Sequence, residues 1–154
     1  MDRAAKVERK TKETDILVEL QLDGGEIVLD TGIGFFDHML HAFAFYGGLG
    51  LTVQAKGDLQ VDGHHTVEDV GIVLGEALRG AFGEKTGIRR FASAYVPMDE
   101  ALLFAALDVS GRPYLVFDAP MPQERCGEYD TCLTVEFMRA FAMHAALTLH
   151  MKAF

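Results

Sequence analysis

Between Ile16 and Leu22 apolar and polar residues alternate, and Asp23-Gly24-Gly25 then turns the chain back into Glu26–Asp30. A period of two closed by a Gly-rich turn predicts a β-hairpin. Beyond it the period lengthens. Phe35, Phe36, Met39, Leu40, Phe43 and Ala44 line one helical face, Thr31 stands where a cap is expected, and Gly47-Gly48 ends the run. Leu51–Ala55 reads as a strand, residues 57–63 as a loop, and Val67–Phe82 as a helix stopped at Gly83. Asp62 and Thr66 are alternative caps, so His64 and His65 fall in the first turn or just before it.

The second half rhymes with the first. Glu100–Val109 is a strand, Ser110–Pro113 a turn and Tyr114–Asp118 a return strand; a helix from about Thr134 to Ala146 leads into the strand Leu147–Met151. His38-Met39-Leu40-His41-Ala42-Phe43-Ala44 parallels Glu136-Phe137-Met138-Arg139-Ala140-Phe141-Ala142, and Leu51–Lys56 parallels Leu147–Lys152. Similarity on this scale predicts one domain, residues 1–154, built from a repeat over 1–88 and a second over 89–154. The second copy reaches Phe154 where its own histidine-bearing helix is due, so the second half is expected to be truncated.

A chain of 154 residues, 49% apolar and 24% charged, is long enough to bury a sizeable core. Its net charge of -9 argues against nucleic acid and against an anionic membrane surface as partners. An anionic substrate must then be gripped by a few local Arg or Lys side chains. Met1–Thr14 is charged and lacks the apolar core of a secretory signal, and no apolar run approaches the ~20 residues that span a bilayer. Cys126 and Cys132 fit no zinc spacing and read as free thiols in a reducing cytoplasm.

Candidate chemistry centres on His64-His65-Thr66-Val67-Glu68-Asp69. On a helix His64, Glu68 and His65 stand at about 0°, 40° and 100° around the axis. Two imidazoles that diverge by a quarter-turn are poorly placed to chelate one ion, but each can serve a different one. The plain alternative is a pair of polar residues at a helix start. His38 and His41, three apart, are either a chelating pair or a core histidine bonded to Asp37 with a bystander. His144 and His150 read as structural or solvent-facing. A histidine and carboxylate set without thiolate fits Mn, Fe, Co, Ni or Zn, with octahedral Mn(II) favoured where open positions must hold a chelating substrate. Arg89, Arg90 and Arg112 are anion-holding candidates; Arg112 lies in a Gly-Arg-Pro turn that can aim a planar fork at phosphate. Glu13 is a base or an exposed carboxylate, and Asp99 a histidine-orienting group or a strand-end cap.

Taken together, several stretches resemble imidazoleglycerol-phosphate dehydratases. They are Lys12-Glu13-Thr14, Thr31-Gly32-Ile33-Gly34-Phe35-Phe36-Asp37-His38-Met39-Leu40, Asp62–Asp69, Gly87-Ile88-Arg89-Arg90-Phe91, Asp99-Glu100-Ala101-Leu102, Leu107–Pro113 and Leu147-Thr148-Leu149-His150. They run in the family's order across nearly the whole chain. The resemblance implies an α+β fold of two pseudo-symmetric halves, each a four-stranded sheet packed by two helices (ribosomal protein S5 domain 2-like). It implies two Mn2+ ions per active site, between subunits of a trimer-based 24-mer, and a small-molecule phosphate substrate. One ion would be held by His38, His65 and Glu68, the other by His64 and Glu136, where the family usually has histidine; His41 leaves the ligand list.

By the same resemblance Glu13 is the base and a substrate contact, Glu68 joins the catalytic set, Arg90 and Arg112 anchor phosphate, and Asp99 supports. The family's second His-His-x-x-Glu run and its phosphate-binding Ser and Lys would lie beyond Phe154, so this chain is expected to hold incomplete metal shells, which leaves open whether it is active or inactive. Ala42 replaces a glutamine that often touches phosphate. The implied reaction dehydrates imidazoleglycerol phosphate to imidazole-acetol phosphate through an imidazolate and a diazafulvene-like intermediate, in histidine biosynthesis. Rival readings are a dinuclear metallohydrolase acting on a phosphoester, and a non-catalytic truncated assembly form.

Overall fold

The computed structural model describes residues 3–154; Met1 and Asp2, at the start of the expected first repeat, lie outside the described residues. The first half runs β1 (Ala4–Lys10), β2 (Thr14–Gln21), β3 (Ile27–Asp30), α1 (Gly34–Gly47), β4 (Gly50–Gly57) and α2 (His64–Phe82). The second runs β5 (Phe91–Met98), β6 (Ala101–Asp108), β7 (Tyr114–Asp118), a short ribbon of β8 (Arg125–Cys126) and β9 (Tyr129–Asp130), α3 (Leu133–Ala145) and β10 (Thr148–Ala153). The two large sheets have the orders β1-β2-β4-β3 and β5-β6-β10-β7. Each carries one parallel pair, β3 with β4 and β7 with β10, so the expected internal repeat is present as topology.

That topology corrects both hairpins expected from the sequence. β2 pairs with β1 and β4, not with β3, and β6 pairs with β5 and β10, not with β7. Gly25 crosses the start of β4, where a Cβ on Gly50 would meet its Cα at 2.8 Å, so β3 lands beyond β4 as an edge strand. Two glycines are what permit that backbone contact. The hairpins that do form, β1–β2 and β5–β6, use segments whose period was not recognised: Ala4–Lys10 is masked by its charges, and Phe91–Met98 is exposed at every position.

β2 and β4 present Ile16, Val18, Leu20, Leu51 and Val53, all buried, to α2, which returns Val67, Val70, Val73, Leu74 and Ala77. Each side chain of this size buried fully contributes roughly 1.5–3 kcal/mol. The other side of α2 meets α3 backbone to backbone: a Cβ on Gly71 would lie 2.9 Å from the Phe137 carbonyl oxygen, and one on Gly75 2.7 Å from that of Phe141. α1 adds Phe36, Leu40 and Ala44 to the core. Thr31 is buried at the entry to α1, where its N–H and hydroxyl both donate to Asp37 Oδ1 (3.0 and 2.6 Å). Asp37 is thereby occupied, and His38 is exposed, which rules out the core histidine bonded to its neighbour.

Candidate functional site

α2 opens with the histidine pair itself. The Asp62 carboxylate accepts the His64 N–H at 2.8 Å, but Gly63 holds the cap position and Thr66 is buried inside the helix against Gly57, so neither Asp62 nor Thr66 is the cap the sequence suggested. The two imidazole rings stand 6.0 Å apart, 78° from coplanar. His64 Nε2 lies 3.1 Å from Glu68 Oε2, one helical turn on. His65 Nδ1 lies 2.8 Å from Asp58 Oδ2, whose other oxygen is buried without a partner. That hydrogen bond, against a smaller desolvation, holds the His65 imidazolium above its ordinary pKa, and the charges of Asp58, Glu13 and Asp62 add to it. The charge of Glu13, in the β1–β2 turn, is thus felt at His65.

The start of α2 is also where the three helices converge. A Cβ on Gly63 would touch Ile33 at 3.2 Å and Leu133 at 3.4 Å, the residues that lead into α1 and open α3. His38 in the first turns of α1 and Glu136 in the first turn of α3 are thus carried to the same end of the helical layer as His64 and His65. Three helix N-termini at one place supply partial positive charge that favours carboxylates such as Glu68 and Glu136. Glu136 is engaged by Arg139, 2.9 Å away. No three His, Cys, Asp or Glu side chains close into a metal-sized group among the described residues.

The remaining candidates sit on the second sheet. Arg90 grips Asp108 through two nitrogens (2.7 and 3.2 Å), and Arg112 stands 4.0 Å from the same carboxylate. Hydrogen bonding from Arg90, with the charges of Arg90, Arg112 and Lys85, holds Asp108 below the usual carboxylate range. Lys85 Nζ lies 3.2 Å from where Gly111 would carry a Cβ, so three cations surround one carboxylate in an acidic protein. The Arg112 loop is pinned by Thr148, whose hydroxyl donates to the Arg112 carbonyl at 3.0 Å. Asp99 occupies the exposed β5–β6 turn at φ 50° and makes no hydrogen bond or ion pair among the described residues. His41 stacks on Phe45, His144 meets Glu76 at 3.2 Å, and His150 is exposed.

Asp58, Asp108, Lys85 and Asp69 were not singled out by sequence reasoning. Asp58 lies in a loop with no period, and only its contact with His65 gives it a role. For Lys85 the signal was its place in a basic stretch with Arg89 and Arg90; Asp108, 18 residues from Arg90, carried none.

Residues 31–154 match the family model described as imidazoleglycerol-phosphate dehydratase. An imidazoleglycerol-phosphate dehydratase of Acetivibrio thermocellus is 58% identical over 154 residues, covering 99% of this chain and 79% of the relative. One from Symbiobacterium thermophilum is 57% identical over 98% of this chain and 73% of its own length. The crystal structure of the Staphylococcus aureus enzyme superimposes with a TM-score of 0.88 at 37% identity, over 98% of this chain and 84% of that one. The Pyrococcus furiosus structure gives 0.79 at 39%, over 96% and 79%. Common descent at this level of identity, with the same backbone in solved members, leaves one conclusion: the chain belongs to the imidazoleglycerol-phosphate dehydratase family, carbon–oxygen lyases of histidine biosynthesis.

Proposed function

We propose that this chain dehydrates imidazoleglycerol phosphate to imidazole-acetol phosphate, with two Mn2+ ions held at the convergent helix starts, and that it self-associates into trimers and a 24-mer. The observation that carries the reading is the pair of perpendicular imidazoles, each backed by its own carboxylate, at the point where α1, α2 and α3 begin. Imidazole nitrogen and carboxylate oxygen without thiolate suit Mn(II). We assign His38, His65 and Glu68 to one ion and His64 and Glu136 to the other. The Asp58 bond to His65 Nδ1 supports this, because it leaves Nε2 as the free donor and fixes the ring, the usual outer partner of a ligating histidine. When bound, the metals supply Lewis-acid stabilisation of the substrate imidazole in its deprotonated form.

The chain's own residues then divide the work. Arg90 and Arg112 hold the phosphate and fix the reacting carbons in place. Electron push from the substrate ring expels hydroxide from the carbon next to it, leaving a diazafulvene-like species. Glu13 takes the proton from the following carbon, and the resulting enol becomes the ketone. Glu68 joins the catalytic set as a ligand of the first ion, and Asp99 is a supporting residue only. We place the enzyme in the cytoplasm, consistent with free Cys126 and Cys132 and with the absence, among the described residues, of a helix able to cross a membrane. It is read as one domain with its repeat boundary between residues 88 and 89.

The test loads the chain with Mn(II) and follows imidazoleglycerol phosphate by NMR. Imidazole-acetol phosphate forming with phosphate still attached is expected, as is a loss of at least about 100-fold in His65→Ala and Glu13→Gln. Release of inorganic phosphate instead would establish the hydrolase reading. Assembly without product and without Mn(II) uptake would establish the non-catalytic one.

A further inference from the structure

The turn that carries Glu13 is tied to the histidine helix by a chain of hydrogen bonds that the reaction itself does not use. Thr11 Oγ1 accepts the backbone N–H groups of Glu13 and Thr14 at 3.1 and 3.0 Å, and the Thr11 N–H returns to the Thr14 carbonyl at 2.8 Å. Thr14 is buried, and its hydroxyl donates to Asp69 Oδ2 at 2.5 Å. Asp69 follows Glu68 on α2, and its other oxygen lies 3.8 Å from Arg9 Nε, a buried nitrogen with no other partner. The hairpin on one side of Glu13 and the helix bearing His64, His65 and Glu68 are thus joined through one carboxylate. Glu13 is exposed, and the bond from Thr14 to the partly buried Asp69 carboxylate restrains the backbone that carries it, which narrows the positions its carboxylate reaches.

We propose that Asp69 is a positioning residue for Glu13: acting through Thr14, it locks the turn to α2 so that the glutamate and the histidine pair keep a fixed geometry. The inference rests on the reading of Glu13 as the base. It predicts dependence on one hydroxyl, because Thr14→Val keeps shape and burial while removing the donor.

Two measurements on the full chain test it. Amide hydrogen exchange of the unliganded protein should show Glu13 and residue 14 exchanging about tenfold faster in Thr14→Val, with the centre of β2 at Val18 unchanged and Thr14→Ser like the parent. Asp69→Ala, which breaks the same bond from the helix, should give the same local pattern. With Mn(II) present, Thr14→Val should lower kcat about tenfold at constant KM, Thr14→Ser should restore it, and Glu13→Gln/Thr14→Val should be no slower than Glu13→Gln alone. Unchanged exchange at Glu13, an equal loss in Thr14→Ser, or a further drop in the double variant each overturn the proposal. Full turnover by Glu13→Gln would instead remove the base assignment, while the exchange result still decides the anchor.

Discussion

A single hydrogen bond, Asp58 to His65, shows how much of the site's chemistry is set one side chain at a time. It raises the His65 pKa chiefly as an acceptor for the ring N–H, with desolvation opposing. A raised folded value means the charged pair stabilises the metal-free protein fully below the ordinary imidazole pKa, and the contribution is lost as pH climbs through the raised value. NMR titration of the metal-free chain should place His65 above an ordinary imidazole, and Asp58→Asn should bring it back down; an unmoved curve would mean another partner. Divalent metal must displace the imidazolium's other proton, on Nε2, so Mn(II) should bind more tightly as pH rises through the same range. Glu136 offers a second case. Its salt bridge to Arg139 competes with any ion, so Glu136→His should retain Mn(II) binding while Glu136→Ala weakens it roughly tenfold, as calorimetry would show.

At the scale of elements, the α2–α3 crossing decides whether three helix starts can meet. Gly71 and Gly75 let α2 and α3 touch through backbone, which brings Gly63 within reach of Leu133 at the start of α3. Gly75→Val would drive a branched side chain into the Phe141 carbonyl and the Ala145 N–H, 2.7 and 2.9 Å from the new Cβ. We expect a loss of about 1–3 kcal/mol by urea unfolding, with Mn(II) affinity falling as the helix starts separate. Gly83→Ala makes the comparison, since no atom lies within 4 Å of its Cβ position; its strain is confined to φ 51° at the end of α2 and should leave metal affinity unchanged.

For the molecule as a whole, the two halves share a topology but differ in what covers them. α2 lies across the first sheet, whereas Phe91, Tyr95, Val96 and Met98 of β5 are exposed. Apolar surface of that extent favours association. Native mass spectrometry in Mn(II) should therefore show oligomers in multiples of three, and chelation with EDTA should shift them toward smaller species; a monomer under both conditions would count against metal-linked assembly.

The sequence by itself determined what depends on neighbours along the chain. α1, α2 and α3 follow from apolar residues every three or four positions, and the divergence of His64 and His65 follows from their adjacency on a helix. The repeat and the resemblance were likewise legible, because both are written in residue order. Tertiary structure alone decided which strands pair, since β3 and β7 are placed by crossing a neighbour rather than by their own period. It also decided that Asp58 reaches His65, that Asp69 reaches Thr14 across 55 positions, and that Gly63 joins three helix starts. Those contacts link residues that no local pattern connects; they exist only once burial of the shared core has fixed the elements against one another.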